Sequence, residues 1–488
     1  MQELNTLLET INPLKVVGDT DKMISELIID SRKAKKDALF FAWKGSVTDG
    51  HQYIDSAIEK GAVAIVCESI PNAPKEGIVY LKVENTLSVV GRLASFWYDH
   101  PSRKLKVVGV TGTNGKTSIC TLLFDLYRSL GYKVGLLSTV ENKINDSIIP
   151  STHTTPDPVS IHKLIASMVD SGCDYAFMEV SSHAVDQKRI GGIEFDGALF
   201  TNISRDHLDY HNTFKDYINA KKAFFDGLSK EAFALVNKDD KRGMVMLQNC
   251  LAKHSTFSLL GLADFRGILR SNSLEGLEMK IEEFDFHSPM VGAYNASNLV
   301  ATYGVAILLG QSKVEVLTHL SGLRGAKGRF EVYKSADGIK GVVDYAHTPD
   351  ALENVLEAIN QANSTGSQVI TVVGCGGDRD KGKRPIMAKI AASLSDMVIL
   401  TSDNPRSEDP EKILEDMYEG VKGSLEHKVL VITDRGNAIK AAFQFARAND
   451  IVLVAGKGHE NYQEIKDKRI HFDDAEELRK HLKNNHNH

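Results

Sequence analysis

Val107-Val108-Gly109-Val110-Thr111-Gly112-Thr113-Asn114-Gly115-Lys116-Thr117 decides the reading of this chain. An apolar run, Leu105 to Val110, reads as a buried strand, and Thr117 to Leu130 has helical spacing. A glycine-rich turn between a strand and a helix lets backbone N–H groups turn inward around phosphate oxygens, and the helix N-terminus adds positive potential. Lys116 can reach outer phosphates and the Thr117 hydroxyl can ligate Mg²⁺. The strict P-loop string requires glycine at 110, where this chain has Val110. Gly-Thr-Asn-Gly-Lys-Thr after a strand still points to a bound nucleoside triphosphate, against a chance βα turn.

Working outward, further strands fit Lys133–Leu137, Tyr175–Met178 and Gly197–Thr201, alternating with helical stretches. That alternation predicts a mainly parallel sheet covered on both faces. Upstream, Ala38–Ala42 and Ala62–Val66 read as buried strands flanking a helix at Ile54–Ile58. His100-Pro101-Ser102 then breaks the pattern. Downstream of Gly328-Arg329-Phe330 the alternation restarts, with strands at Gly341–Asp344, Val369–Gly374, Met397–Thr401, Val429–Thr433 and Ile451–Ala455. The fold class is α/β in three domains: a small one over 1–100, a central phosphate-loop one over 101–330, and a doubly wound one over 331–488. The polar tail from Lys480 reads as frayed.

Length and composition agree. The 488 residues suggest about three domains at ~150 residues each. With 58 basic against 64 acidic residues the net charge is −6, so no global field favours nucleic acid or an anionic membrane. No apolar run approaches the ~18 residues of a membrane span, and the N-terminus has no secretory pattern. Five scattered cysteines without a CxxC pair fit a reducing cytoplasm.

Phosphoryl transfer needs metal-holding groups at the ends of neighbouring strands. Glu179 follows the strand Tyr175–Met178, and His207 follows the strand ending near Thr201. Both belong at the carboxyl edge, beside the loop.

Four runs together resemble the Mur ligases: Gly112–Thr117, Glu179-Val180-Ser181-Ser182-His183, Thr201-Asn202-Ile203-Ser204-Arg205-Asp206-His207-Leu208-Asp209, and Asp344-Tyr345-Ala346-His347-Thr348-Pro349-Asp350. The resemblance covers nearly the whole chain. It implies one domain for a UDP sugar, one for ATP and a Rossmann-like one for an amino acid. It further implies that ATP phosphorylates a carboxylate of UDP-N-acetylmuramoyl-L-Ala-D-Glu and that an amine then displaces phosphate, in peptidoglycan precursor synthesis. The protein it implies is cytoplasmic and monomeric, with no nucleic-acid partner.

The resemblance also assigns residues. Gly112, Thr113, Asn114, Gly115, Lys116 and Thr117 would cradle ATP and Mg²⁺. Glu179 and His207 would hold a second Mg²⁺, and Lys221 matches the family's carbamylated lysine, N6-carboxylysine. Lys222 beside it keeps the choice of lysine open, and a solvated helix lysine is the plain alternative. Asn295 and Asn298 would contact adenine, and Arg329 and Asp344 would join the ATP site on closure. Ser31, His51 and Gln52 match uridine and pyrophosphate contacts. Thr154, Thr155, Ser181, Gln187 and Arg189 match contacts to the muramoyl peptide.

Ser402-Asp403-Asn404-Pro405-Arg406 follows the strand Met397–Thr401 and resembles the family's signature for meso-diaminopimelate. Diaminopimelate is lysine carrying a carboxylate on its far carbon. The planar fork of Arg406 can hold that group through two hydrogen bonds, and it repels the ammonium of lysine. Arg379, Asp403, Asn404, Gly456 and Glu460 complete the expected set. Gly374-x-Gly376 lacks a third glycine, Arg379 standing in its place, which excludes NAD. The alternatives are the same reaction with L-lysine, a γ-glutamyl ligase resembling folylpolyglutamate synthase, and an ATP-driven motor, which the acidic balance disfavours.

Overall fold

The computed structural model describes residues 1–45, 48–149, 154–204, 206, 210–211, 213–363, 366–466 and 468–484. Three large sheets follow one another along the chain. The first has the strand order Lys15–Val17, Val79–Lys82, Ala62–Cys67, Ala38–Ala42, Glu26–Ile28. Only the edge strand Lys15–Val17 is antiparallel. Successive side chains of a strand point to opposite faces. Leu39 and Phe41 accordingly enter one core, and Phe40 and Ala42 the other. Asp99 and His100 then hold φ at 57° and 47° before Pro101, which stops the helix Thr86–Trp97 and starts a new unit.

The central sheet contains the parallel order Val134–Leu137, Tyr175–Glu179, Lys106–Thr111, Gly197–Phe200, Phe233–Asn237, Lys253–Ser258. Lys106–Thr111 comes first in the chain but lies between the third and fourth of these strands. The connection after it runs to one side and the connection after its neighbour Gly197–Phe200 to the other, and the crevice so opened lies at their carboxyl ends. Val108 and Val110 pack with the helices Lys116–Ser129 and Ala293–Leu308, while Val107 packs with the core behind the sheet.

Both flanks of this sheet differ from the parallel expectation. Asn142–Ile144 and Ser147–Ile149 form an antiparallel hairpin on one flank, turning through Asn145 at φ 52°. On the other, Phe265–Ser273, Gly276–Ile281 and Phe284–Ser288 make an antiparallel meander. Their side chains alternate between core and solvent, so they lack the continuous apolar runs by which the buried strands were recognised.

The third sheet runs Glu331–Lys334, Lys340–Asp344, Ile451–Ala455, Val369–Val373, Met397–Leu400, Val429–Val431, with the first strand antiparallel. Helices Pro349–Ala362, Lys383–Leu394 and Pro410–Tyr418 cover one face; Arg435–Phe445 and Asp474–Asn484 cover the other. The expected frayed tail is thus helical as far as Asn484. It is tied in where the fully buried Arg435 guanidinium meets Asp474 at 2.7 and 2.6 Å.

The first unit meets the central one where helix Thr86–Trp97 crosses the turn at Gly191-Gly192. A Cβ on Gly91 would collide with the Gly191 carbonyl. Gly91→Ala should therefore lower the unfolding free energy by about 1–3 kcal/mol through overpacking. A chemical-denaturation curve superimposable on that of the parent would mean the crossing has room to spare.

Candidate active site

The strand Lys106–Thr111 ends in a loop that its neighbours hold from both sides. Gly112 lies so close to the next strand's end that a Cβ there would run into Thr201 Oγ1. The Thr201 hydroxyl donates to the Asn114 carbonyl at 2.6 Å, and the Asn114 amide donates to Asn202 Oδ1 at 2.9 Å. The Thr113 amide donates to the Asn202 carbonyl at 2.8 Å. Gly115, at φ 89°, precedes the first residue of the helix Lys116–Ser129 and lies against Asn298 Oδ1. Asn298 and Asn295 are buried and hydrogen-bonded to one another at 3.1 Å.

Three cationic or anionic groups crowd the loop. Lys116 donates its ammonium to the carbonyls of Gly112 and Thr113 at 3.0 and 2.8 Å. Lys221, from the helix Phe214–Asp226, is 1 % exposed and donates to the same Gly112 carbonyl at 2.8 Å. Burial, and next the Lys116 charge, hold the Lys221 ammonium well below the usual lysine range. Lys222 is a different residue physically, paired with Asp226 at 2.6 Å. Glu179, buried at the end of the adjacent strand, accepts from the Thr117 hydroxyl at 2.9 Å and from the Thr139 amide and hydroxyl at 2.7 and 3.0 Å. His207 lies outside the described residues.

From Glu179 a chain of contacts leads to a cleft. Thr155 Oγ1 donates to the Glu179 carbonyl at 2.9 Å and lies 3.4 Å from Ser181 Oγ, with Thr154 beside it. Arg189 donates to the Thr155 carbonyl at 2.9 Å and to Gln187 Oε1. Gln187 and Arg189 then line a cleft of about 1080 Å³ between the first and central units. Both tryptophans of the chain, Trp43 and Trp97, line it with Tyr98 and Tyr210, and Lys33 and Lys44 supply positive charge. Ser31, His51 and Gln52 are not among its walls. The His51 ring is engaged within its own unit: Nε2 accepts from the Glu68 and Ser69 amides at 3.1 and 3.3 Å, so Nδ1 carries the proton donated to Asp49.

At the junction of the second and third units, Arg329 reaches Thr117 Oγ1 at 3.5 Å and stacks on Tyr345 at 4.5 Å. Arg329 Nε, Tyr294 Oη and His459 Nδ1 are buried here without a hydrogen-bond partner among the described residues. Unpaired buried donors are costly, and three in one place suit a polar ligand. Asp344 accepts from the Phe330 amide at 2.7 Å, and burial raises its carboxyl to about 6.

Three carboxyl-edge loops of the third sheet meet at the run Asp403–Arg406, where the Arg406 guanidinium donates to the Gly377 carbonyl at 2.7 Å and pairs with Glu464 at 3.5 Å. Arg379 emerges from the loop 374–379, beside Gly376. Asn404 donates to Glu460 Oε2 at 2.8 Å, and a Cβ on Gly456 would press on Asp403 Oδ2. Lys457, fully buried, donates to Asn404 Oδ1 at 3.0 Å and pairs with Glu460 at 3.3 Å.

The sequence alone gives no role to Lys457, Thr139, Asn202, Asp350 or Tyr217, whose hydroxyl lies 3.0 Å from Thr113 Oγ1. Asn202 and Asp350 stand inside runs quoted above, and Lys457 lies between Gly456 and Glu460. Asp350 contacts the loop from 236 residues away, and no local pattern marks such a pair.

This constellation is that of a phosphate-loop enzyme. Residues 23–98 match the Mur ligase family, catalytic domain; 110–306 match the Mur ligase middle domain; 328–458 match the Mur ligase, glutamate ligase domain. The chain belongs to the Mur ligase family. It is 53% identical over 477 residues to the UDP-N-acetylmuramoyl-L-alanyl-D-glutamate–2,6-diaminopimelate ligase of Phocaeicola vulgatus, covering 98% of this chain and 99% of that one. It is 52% identical over 476 residues to the ligase of the same name from Bacteroides thetaiotaomicron, covering 98% and 99%. A solved structure with that name is similar at 34% identity and a TM-score of 0.70, covering 99% of both chains.

Burial of Asp344 has a consequence for stability. Its pKa rises from 3.8 to about 6, so between those values the folded chain keeps a proton that the unfolded chain has released. Stability is therefore lost as pH rises through that window. Asp344→Asn retains an oxygen for the Phe330 amide and should be more stable than the parent by up to ~3 kcal/mol above about pH 6. Thermal melts should show the gap closing near pH 4; a gap independent of pH contradicts the assignment.

Proposed function

We propose that the chain is an ATP-dependent ligase that adds meso-diaminopimelate to UDP-N-acetylmuramoyl-L-Ala-D-Glu, a step of peptidoglycan precursor synthesis. The observation that carries this reading is the convergence of Arg406, Asn404 and Glu460 at one sheet edge, in a chain more than half identical to ligases of that name. Residues 1–100 hold the UDP sugar, 101–330 the ATP and 331–488 the amino acid. The UDP end lies in the cleft against Trp43, and Arg189, Thr155 and Ser181 lead its peptide toward Glu179.

A carboxylate is a poor electrophile at neutral pH. Transfer of the γ-phosphoryl group of ATP to an oxygen of the D-glutamate γ-carboxylate makes that oxygen a leaving group. The amine attacks the carbonyl carbon, the C–O bond breaks, and phosphate departs as the amide forms. Lys116 and the N-terminus of the helix Lys116–Ser129 stabilise charge on the moving phosphoryl group. Asn295 and Asn298 face adenine, and Arg329 and Asp344 contact the ribose and phosphates from the junction. Thr117 and Glu179 are adjacent oxygen donors, a set that suits Mg²⁺. Among the described residues no three His, Cys, Asp or Glu converge on a metal site, and His207 would add its ring. When bound, Mg²⁺ would neutralise charge on the phosphates.

Lys221 is the lysine suited to carbamylation. The reaction needs a neutral amine, which burial favours, and it exchanges a second cation beside Lys116 for an anion. With ¹³C-bicarbonate, a carbamate resonance should be present in the parent and in Lys222→Ala, and absent in Lys221→Arg. A resonance surviving in Lys221→Arg contradicts this.

At the amino-acid end Arg406 takes the distal carboxylate and Arg379 a further carboxylate, while Gly456 and Glu460 supply backbone and ammonium contacts beside Asp403 and Asn404. Lysine would set an ammonium against Arg406. Given a panel of amino acids with UDP-N-acetylmuramoyl-L-Ala-D-Glu and ATP, product mass should report diaminopimelate. Arg406→Ala should lower kcat/KM for it by roughly 10- to 200-fold. A lysine-containing product, or unchanged kinetics in Arg406→Ala, would refute the specificity.

A further inference from the structure

The helix Pro349–Ala362 of the third unit carries Asp350 in its first turn. A single oxygen of this residue, Oδ2, accepts two hydrogen bonds from the central unit. Asn114, at the tip of the phosphate loop, donates its side-chain amide at 2.6 Å, and Ser204 donates its hydroxyl at 3.0 Å. These two donors already belong to one network. The Ser204 amide donates to Thr113 Oγ1 at 3.0 Å, and Asn202 holds the amides of Thr113 and Asn114. Loop and strand end are thereby fastened to each other, and Asp350 fastens both to a different unit.

We propose that Asp350 is a positioning residue that latches the amino-acid unit onto the phosphate loop. The inference rests on the proposed ligase reading and deepens it. In that reaction the nucleophile and the activated carboxylate come from different units, so turnover requires those units to be held together while the acyl phosphate exists. Asp350 supplies a charge-assisted contact at the loop itself. Its partners are Asn114 and Ser204, so it acts through the loop and the strand end that they belong to. Because both bonds end on one oxygen, an asparagine can present a carbonyl oxygen in the same place and keep both.

The test compares Asp350→Ala, Asp350→Asn and Ser204→Ala with the parent. Asp350→Ala should lower kcat by roughly tenfold, while KM for the UDP substrate, bound in a cleft without third-unit walls, stays within about twofold. Asp350→Asn should recover most of the loss. Ser204→Ala added to Asp350→Ala should cost less than it does alone, because the bond it removes has already gone. Hydrogen exchange at the amides of 112–115, which needs no amino acid, should be faster in Asp350→Ala. An unchanged kcat, a defect in Asp350→Asn equal to that of the alanine variant, or unchanged amide exchange would overturn the latch. If the parent forms no diaminopimelate product, the ligase reading fails while the exchange experiment still judges the latch.

Discussion

Everything at this site depends on how closely the backbone at Gly112 approaches the end of the neighbouring strand. That approach leaves no space for a side chain and lets Thr201 and Asn202 take the loop's amides and carbonyl in hydrogen bonds. The loop is thus organised by the sheet before any phosphate arrives. A loop already ordered costs no rearrangement at the moment of reaction, which is why the helix N-terminus that it presents can act on charge in motion. The chain order of the strands makes the approach possible, since connections diverge between Lys106–Thr111 and Gly197–Phe200 and leave their carboxyl ends open.

The remaining chemistry is arranged around that opening. Glu179 comes from one neighbouring strand and Asn202 from the other. Lys221 reaches the Gly112 carbonyl from a helix behind the sheet, and its burial beside Lys116 is an electrostatic cost that a carbamate would relieve. Arg329 and Asp350 approach from the junction with the third unit, so the phosphate loop is contacted by the unit proposed to carry the amino acid. The apolar joint between these units, where Leu274 and Val291 enter the same core as the helix Pro349–Ala362, gives that approach a packed base.

What the sequence made legible follows from range. Strands buried on both faces announce themselves as apolar runs, and Val107–Val110, Phe177–Met178 and Ile451–Ala455 were readable for that reason. The meander from Phe265 to Ser288 was not, because half its side chains meet solvent. The loop and the Asp403–Arg406 run could be read because their chemistry is contiguous. Lys457 is hard to read because a lysine at a strand end ordinarily faces water, and here Asn404 from another loop and Glu460 three residues on pair with its buried ammonium. The ring of His51 meets Asp49 and the amides of Glu68 and Ser69, and the last two contacts have no local signal in the sequence. Partners far apart along the chain are set by packing, and no spacing rule encodes them.

The central claim is that a carboxylate oxygen becomes the leaving group at the Gly112–Thr117 cradle. It is tested most directly by preparing the UDP-muramoyl dipeptide with ¹⁸O in the γ-carboxylate of D-glutamate and weighing the inorganic phosphate released with diaminopimelate. The account predicts one ¹⁸O atom transferred to phosphate for each amide formed. Unlabelled phosphate, with both heavy atoms accounted for elsewhere, would contradict it.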